Sequence, residues 1–315
     1  MSVNATSTET ERPDVQSYTL LVFMGVLWGL AVSTSKIGVV AGGHPIGMAL
    51  WQTIVASLFL LCVALATSQR PRFNLQVLRF AAVCSTCGVA FPAFALFTAA
   101  YYLPAGIVAI AFASMPMFAY GLSVIFRHEA SSARRLSGVF LGLVAMGLII
   151  LPDTALPSPE LAPWVLLTLA ASLSMSVENY YAGAFRPEGV SSLQLSFARQ
   201  SGAALLLLPI ALVTGTMLPV FEPWSGMQVG ATATGLLSAV AYTCLLVVIH
   251  RSGVIFASQS SYIITLAGVG WGMLIFGETH SVYIWAALGL TLAAVGLVEP
   301  RPPRATGLTG RRAGP

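Results

Sequence analysis

Long apolar runs of about twenty residues alternate with short polar segments along most of the chain. About 20 consecutive apolar residues cross the hydrocarbon core of a bilayer as a helix, so each run predicts a transmembrane helix. The connections hold only a few residues, apart from two proline-rich turns, and none is long enough for a soluble domain. The pattern predicts ten spans: Tyr18–Val40, Ile46–Thr67, Phe80–Tyr101, Leu103–Phe126, Leu136–Leu151, Pro163–Phe185, Leu193–Thr214, Met227–Ile249, Val254–Phe276 and Val282–Val298.

Composition supports the same assignment. Of the 315 residues, 57% are hydrophobic and only 8% are charged, and the mean hydropathy is +0.83. A soluble domain carries about 25% charged residues, which cover its surface. The sequence therefore predicts an all-α polytopic membrane protein, with disordered polar segments at 1–17 and 300–315. The first apolar run is too long for a cleaved signal peptide, and no basic segment precedes it.

The positive charges are sorted to one side of the predicted membrane. Of the 15 Lys and Arg residues, Lys36 and Arg199 lie inside spans. All the others fall on the side of the N-terminus when the loops are assigned alternately to the two sides. By the positive-inside rule, both termini are predicted to be cytoplasmic in a multi-pass protein of the cell (inner) membrane. The net charge of +4 thus reflects topology, and no nucleic-acid partner is predicted.

The two halves of the chain resemble each other. At a constant offset of 149 residues (278 − 129), Glu129 aligns with Glu278 and Gly147 aligns with Gly296. Each half has five spans, an odd number, so the second half must cross the membrane in the opposite direction. Inverted repeats are typical of transporters, whose substrate site lies between the halves. The predicted organisation is a first five-helix repeat at 18–151, an external linker at 152–162 and a second repeat at 163–299.

Several motifs resemble the EamA-like family of the drug/metabolite transporter superfamily. They are "LWGLAVSTSK" in the first span, "SMPMF" in the fourth, and "FGETHSVYIWAALGLTLAAVGL" near the end. The resemblance implies ten helices in two inverted five-helix units. It also implies a central cavity formed by helices 1, 3, 4, 6, 8 and 9, with helices 5 and 10 at the edge. Two features depart from the family pattern: Gln52 stands where many relatives have Arg, and the ninth span lacks a proline.

Charged residues inside spans are costly and usually have partners or functions. Glu178 and Arg199 lie about 10 Å and 9 Å from the same end of consecutive antiparallel helices, at 1.5 Å rise per residue. One interpretation is that the two residues form an ion pair. The other is that Glu178 faces the cavity as a cation or proton site. The two can coexist, because an ion pair that opens and closes could serve as a gate. Lys36 either extends to the outer surface or contributes, with Ser33, to a cavity or an outer gate.

Other polar and aromatic residues in the apolar spans are candidates for the cavity or its gates. For the aromatic ones, packing or an interfacial belt is the alternative. Cys84 and Cys87 have CxxC spacing but no second pair, so they are interpreted as packing residues. Small residues at Gly138-xxx-Gly142 and Gly289-xxx-Ala293 allow close helix approach, either within the chain or in a homodimer. The remaining candidates are Trp28, Tyr101, Asn179, Tyr181, Tyr242, Ser258, Gln259 and Tyr262.

The sequence predicts a secondary transporter of small metabolites rather than an enzyme. No HExxH motif and no aspartate inside a span is present, and no phosphate-binding loop for ATP occurs. No catalytic, cofactor-binding or metal-binding residue is predicted. The expected partners are a small-molecule substrate and the lipid bilayer, and the resemblance implies export, with amino acids or related amphipathic solutes as first candidates. The alternative is a non-transporting sensor or assembly partner with the same fold.

Overall fold

The computed structural model describes residues 14–125, 132–150, 158–219, 221 and 223–298. Within these ranges the secondary structure is helical, with no β-strand. Residues 1–13 of the predicted N-terminal tail, the predicted C-terminal tail, most of the linker and Glu129 lie outside the described residues. Residues 15–17, predicted as part of the disordered tail, instead belong to the first helix, which Asp14 caps. The helices of the described part are α1 (Val15–Val40), α2 (Pro45–Ala66), α3 (Leu75–Ser85), α4 (Phe91–Tyr102), α5 (Ala105–Phe112), α6 (Met115–Ile125), α7 (Ala133–Ile150), α8 (Ala162–Ala184), α9 (Ser192–Thr214), α10 (Gly226–Ser258), α11 (Ser260–Phe276) and α12 (Val282–Val298).

Side-chain caps define where several of these helices begin. Asp14 accepts a hydrogen bond from the Ser17 backbone N–H at the start of α1. At the start of α9, Ser191 and Gln194 form a capping box, in which each side chain accepts from the backbone N–H of the other. Gly277 ends α11 in the left-handed conformation, at φ +62°, which glycine adopts without steric cost. The spans are therefore delimited by local polar chemistry as well as by hydropathy.

Many of the helices match the dimensions of a bilayer. Among the described residues, seven helical segments are long and apolar enough to cross a membrane, and two further apolar helices, α11 and α12, are shorter. The third predicted span corresponds to α3 and α4 joined by a π-helical segment, Thr86–Ala90. The fourth predicted span corresponds to α5 and α6, which are separated by a turn at Ala113 and Ser114. The described part of the chain is therefore an all-helical bundle with helices of the length and composition of a membrane protein.

The course of α10 corrects one predicted boundary. Spans eight and nine were predicted to be separate helices, interrupted between Ile249 and Val254. Instead, helical structure continues from Gly226 to Ser258, and α11 begins at Ser260. Along α10 and α11 the contacts first approach the N-terminus of α1 and then move away from it. The chain therefore reverses direction near residues 252–256, close to the predicted interruption, and only the end of the helix differs from the prediction. The contacts that trace this path are Thr34–Thr234, Ser17–Ser252, Tyr18–Phe256 and Gly29–Ala267.

Helix α1 lies between α10 and α11 and approaches both closely. A Cβ on Gly29 would lie 2.7 Å from the Cβ of Ala267 on α11. A Cβ on Gly230 of α10 would lie 2.6 Å from the Cα of Gly38 on α1. Lipid tails are as apolar as the helix surfaces, so no hydrophobic driving force brings membrane helices together. Close packing of small residues stabilises their association instead. Small residues therefore hold α1 between the elements of the second half.

The helices α7 and α12 pack against each other at the edge of the bundle. Arg134 Nη2 donates to the Gly296 carbonyl at 2.5 Å, and Arg135 Nε donates to the Val298 carbonyl at 2.6 Å. These arginines satisfy carbonyls in the last turn of α12 and oppose the negative end of its dipole. A position at the edge agrees with what the family resemblance implies for helices 5 and 10.

Arginines mark one end of the bundle. Arg72 bonds the Gly189 carbonyl at 2.8 Å, which joins the loop before α3 to the loop before α9. Arg251 lies 3.6 Å from Asp14, which caps α1. We refer to the end that carries Arg70, Arg72, Arg186 and Arg251 as the basic end. The opposite end carries the loops 41–44, 103–104 and 277–281.

Candidate functional site: a central cavity between two buried ion pairs

A cavity of about 190 Å³ lies in the interior of the bundle. Its walls come from both halves of the chain, so only the folded bundle assembles it. Most of the lining is apolar, and the polar side chains that reach it are few. The lining residues are Trp28, Ala31, Val32, Gln52, Gly88, Val89, Pro92, Ala93, Leu96, Ala109, Phe112, Ala113, Met115, Met175, Arg199, Gln200, Ser238, Tyr242, Ser261, Ile264 and Thr265.

The polar groups of the lining come from α2, α9, α10 and α11, and the largest of them are Gln52, Arg199, Gln200 and Tyr242. Gln52, Arg199 and Gln200 are each less than a tenth exposed. Within the described part of the chain, the Oε1 atoms of Gln52 and Gln200 are buried without a hydrogen-bond partner. A buried polar group without a partner costs free energy, so such groups call for a ligand or water in the cavity. Gln52, Arg199 and Gln200, which we call the polar wall of the cavity, can together accept hydrogen bonds as well as donate them.

The predicted proximity of Glu178 and Arg199 is present. Arg199 Nε lies 3.1 Å from Glu178 Oε1, and the two side chains are 8% and 3% exposed. The Nε–H does not satisfy hydrogen-bond geometry, so the contact is an ion pair held by charge. The pair is also one-sided, because Arg199 lines the cavity whereas Glu178 lies outside its lining. Glu178 therefore neutralises the charge of Arg199 from the side that faces away from the cavity.

A π-helical segment completes the surroundings of this pair. Arg199 Nη2 donates to the Gly88 carbonyl at 3.0 Å, and Ser85 Oγ donates to the Arg199 carbonyl at 2.8 Å. Ser174 Oγ, on the helix that carries Glu178, donates to the Cys87 carbonyl at 2.8 Å. A π-helical turn leaves carbonyls outside the regular α-helical ladder, where they can accept from neighbours. The motif "CSTCG" thus supplies carbonyl acceptors and a glycine, and its cysteines are free thiols.

Aromatic rings form the surface above the arginine. The Arg199 guanidinium lies 4.4 Å from the centre of the Tyr242 ring. Trp28 meets Tyr242 edge to face, with the ring centres 6.4 Å apart. A guanidinium within about 6 Å of an aromatic ring is attracted to its face. Helices α1, α9 and α10 therefore meet at one cation–aromatic cluster on the cavity wall.

A second buried ion pair lies towards the opposite end. Lys36 Nζ donates to Glu278 Oε1 at 2.7 Å, and the side chains are 17% and 7% exposed. The sequence left two alternatives for Lys36, extension to the outer surface or a role in a cavity or an outer gate. The acid that pairs with it comes from the other half of the chain, and Lys36 lies outside the cavity lining. The two ion pairs therefore lie on different sides of the cavity.

The other candidates from the sequence lie outside the cavity lining. Ser33 is fully buried, and Tyr101 is exposed and packs edge-on against Tyr102. Asn179 approaches the sulfur of Met115 at 3.7 Å, and Tyr181 packs against Phe80 and Phe185. Gln259 is exposed between α10 and α11. Tyr262 packs towards α12, and the side chain of Ser258 lies outside the described part.

Sequence reasoning missed Gln200, Ser238 and Glu278 as parts of these sites. Gln200 directly follows Arg199 within an apolar span, a signal as strong as the one that identified Glu178 and Asn179. Glu278 was interpreted as a loop acid, although its position in the repeat and the unpaired Lys36 on the same side of the membrane were both visible. Ser238 carries no distinguishing signal, because serine is common in membrane helices.

An all-helical membrane bundle with a central, mostly apolar cavity and buried charges is typical of a transporter. The sequence profile of the EamA-like transporter family matches residues 16–151 and 162–299. The chain belongs to this family and is a membrane transporter; this membership also argues against an enzyme.

Curated relatives carry the same kind of description. Proteins from three strains of Escherichia coli, each named uncharacterized inner membrane transporter YedA, are 25% identical to this chain over 282 residues. The match covers 87% of this chain and 87% of each relative. A solved crystal structure has the same fold, with a TM-score of 0.58 at 18% identity, and the match covers 90% of this chain and 96% of that one.

Proposed function

We propose that this protein is a secondary transporter that moves small amphipathic solutes, with amino acids as first candidates, by alternating access through the central cavity. The observation that carries the proposal is that a few polar side chains, among them Gln52, Arg199 and Gln200, reach a cavity whose lining is otherwise mostly apolar. A solute with one polar and one apolar end satisfies both. Export is the direction that the family resemblance implies.

The chemistry of the polar wall favours a zwitterion over a strongly charged ion. Arg199 offers donors to a carboxylate, while the unpartnered oxygens of Gln52 and Gln200 offer acceptors to an ammonium group. Because Glu178 already balances the charge of Arg199, a solute with a large net charge would lack a counter-charge. Phe112, among the apolar lining residues, would contact the side chain of the solute.

The packing supports ten transmembrane helices in two inverted repeats. In the proposed arrangement α8 of the second repeat corresponds to α1 of the first. Helix α1 packs against α10 and α11, and α8 packs against α3–α4 and α5–α6, which hold the equivalent places in the first repeat. Helices α2 and α9 pack together, as do α7 and α12, and each of these pairs joins equivalent helices. A pseudo-two-fold axis through the cavity accounts for all of these pairings.

We place the basic end in the cytoplasm and the opposite end outside. The positive-inside rule supports this orientation, and the relatives' names support the inner membrane as the location. Glu178 and Arg199 then lie on the cytoplasmic side of the cavity, where they form the inner gate of the proposed cycle. Opening that gate separates two buried charges, so a solute that approaches Arg199 from the cavity would lower the cost of opening.

Ligand binding is tested first, with the purified full-length protein and a panel of amino acids and related metabolites. A ligand that binds the folded state raises the unfolding temperature by mass action. We expect a zwitterionic solute to stabilise the parent, Gln52→Ala to weaken this effect, and Gln16→Ala to leave it unchanged. Gln16 is an exposed residue of α1 far from the cavity lining, so it controls for the loss of an amide.

Transport is then measured in liposomes with the stabilising solute. A carrier produces flux that saturates with solute concentration and that Gln52→Ala reduces. Binding without any flux would overturn the proposal and leave the sensor alternative in its place. Absence of binding by every zwitterion, together with saturable flux of another solute, would retain transport but reject the proposed substrate class.

A further inference from the structure

Glu278 lies at the centre of a buried cluster at the opposite end of the bundle. Its carboxylate accepts from Lys36 Nζ, from the Ala105 backbone N–H at 2.6 Å and from the Gly106 backbone N–H at 3.1 Å. Lys36 belongs to α1, and the two amides begin α5, whereas Glu278 follows α11. The cluster therefore ties two helices of the first half to the second half of the chain.

The backbone amides make this contact more than an ion pair between side chains. The first N–H groups of a helix have no partner inside the helix, and the helix dipole places partial positive charge there. Glu278 satisfies two of these groups at α5, so a carboxylate is needed at this position independently of Lys36. A charge of the opposite sign would face both the amides and the positive end of the dipole.

The elements are packed without spare room around the carboxylate. A Cβ on Gly272 of α11 would lie 2.5 Å from Glu278 Oε2. A Cβ on Gly106 would lie 2.8 Å from Nε2 of His280. The contact thus requires α5, α11 and the loop that follows α11 to meet at this point. If the outer ends of the two halves move apart, all of these contacts must break together.

His280 is the titratable group built into the cluster. Its side chain is 1% exposed, and Nε2 lies 3.8 Å from Glu278 Oε2, without a hydrogen-bond partner in the described part of the chain. The groups around it are Glu278 in its own loop, Lys36 from α1, the N-terminus of α5 and the Trp285 ring of α12, 6.2 Å away between ring centres. Glu278 therefore attracts a protonated imidazole, whereas burial, Lys36 and the partial positive charge at the start of α5 oppose protonation.

We propose that Lys36, Glu278 and the start of α5 form a latch that holds the outer ends of the two halves together, and that protonation of His280 from the external side releases it. The proposal rests on the proposed transport function, because the released state is the outward-open state of the cycle. His280 is then a proton-binding site through which external acid favours opening to the outside. Its position assigns the proton response to the outer cluster rather than to Glu178.

The direction of the effect follows from linkage. Burial lowers the pKa of His280 from its ordinary value of 6.5; Glu278 opposes this shift, and Lys36 adds to it. In a released state the imidazole meets water, and its pKa returns towards the ordinary value. The released state then binds protons more strongly, so acid favours it. The latched state is fully favoured above pH 6.5 and loses this advantage as the pH falls through the lowered pKa.

The experiment measures a distance across the outer end, with no substrate present. Spin labels are placed at Tyr101→Cys and Val282→Cys, in a protein whose four native cysteines are replaced. Both positions are exposed and close in sequence to the cluster. We expect a short distance at pH 7.5 and a growing population of a longer distance at pH 5.5. His280→Gln should keep the short distance at both values of pH, and His44→Gln, at the same end, should respond like the parent.

Variants of the latch itself provide the second half of the test. Glu278→Gln should populate the longer distance already at pH 7.5, and Glu160→Gln, an exposed acid outside the cluster, should not. The exchange Lys36→Glu with Glu278→Lys should fail to restore the short distance, because the α5 amides require a carboxylate. Restoration by the exchange would reduce the latch to a simple ion pair, and a pH response that survives His280→Gln would overturn the proton site.

Two further measurements separate this inference from folding defects and from the proposed function. Each variant is first checked for a sharp thermal unfolding transition, and Lys36→Met serves as a milder change that leaves the α5 donors in place. Lys36→Met should give an intermediate population, and a distance identical to the parent's would contradict the latch. The distances are measured without solute, so the latch and the proposed transport function are tested separately. A protein that moves no amino acid could still show the pH response, and a protein that transports could lack it.

Discussion

The carboxylate of Glu178 occupies the space where a side chain on Gly88 would lie. A Cβ on Gly88 would lie 2.5 Å from Glu178 Oε2, and the Gly88 carbonyl accepts a hydrogen bond from Arg199. The glycine thus serves two purposes. Its missing side chain leaves room for the acid, and its carbonyl holds the base.

Gly88→Ala should therefore displace Glu178 and weaken its contact with Arg199. We expect a lower unfolding temperature and reduced transport. Gly121→Ala is the matched control, since a Cβ there has no neighbour within 4 Å. The two proteins are compared by thermal unfolding and liposome flux. Equal behaviour of both variants would show that the space beside Glu178 is not limiting.

Removal of one partner of the buried pair should cost more than removal of both. A buried charge left without its partner costs about 3–5 kcal/mol, whereas replacement of a whole pair is often close to neutral. Glu178→Gln and Arg199→Gln should each lower the free energy of unfolding, and the double variant should recover part of the loss. The double-mutant cycle is measured by chemical unfolding in detergent. Losses that simply add would show that the two residues do not interact energetically.

The Tyr242 ring should matter more than its hydroxyl. The Arg199 guanidinium contacts the face of the ring, a contact that contributes about 0.5–2 kcal/mol depending on burial. Tyr242→Phe keeps the face and should retain solute affinity within about twofold, while Tyr242→Ala should lose about tenfold or more. Solute titration by thermal shift measures both. If Phe and Ala weaken affinity equally, the hydroxyl is the functional group.

Variants at the small residues of α7 and α12 test whether these residues pack within the chain or form the contact face of a homodimer. A Cβ on Gly138 would lie 2.8 Å from the Cβ of Leu297, so Gly138→Ala should destabilise the fold by about 1–3 kcal/mol through overpacking. Gly289 has no neighbour within 4 Å, so Gly289→Ala should not destabilise the fold. Thermal unfolding and light scattering are measured on both variants. A change of oligomeric state in Gly289→Ala would place a homodimer on that face.

Tags on the first and last residues should both be protected in sealed cells. In the proposed orientation, which follows the positive-inside rule, the basic end and both termini lie in the cytoplasm. Accessibility to an impermeant protease or antibody is compared before and after permeabilisation. A tag that is accessible before permeabilisation would reverse the proposed orientation, and with it the assignment of inner and outer gates.

Hydropathy and charge in the sequence were enough for the helical membrane architecture and for the contact between Glu178 and Arg199. That contact could be predicted because the two opposite charges lie at equal depth in the membrane, where a buried charge usually has a partner. The sequence did not reveal that α8 and α9 meet there through the π-helical segment, against which both helices pack. The chain reverses near residues 252–256, close to the predicted break between spans eight and nine, but helical structure extends to Ser258, beyond the predicted end at Ile249.

The sequence by itself determined which segments enter the membrane, how deep each charge lies and which loops are basic, because these properties depend on local composition. Only the tertiary structure decided which side chains share the cavity and that Lys36 meets Glu278, 242 positions away. In a soluble helix an apolar stripe identifies the buried face. Here lipid and protein interior are both apolar, so the pattern does not specify how a helix is rotated, and the packing of small residues against distant helices sets that rotation.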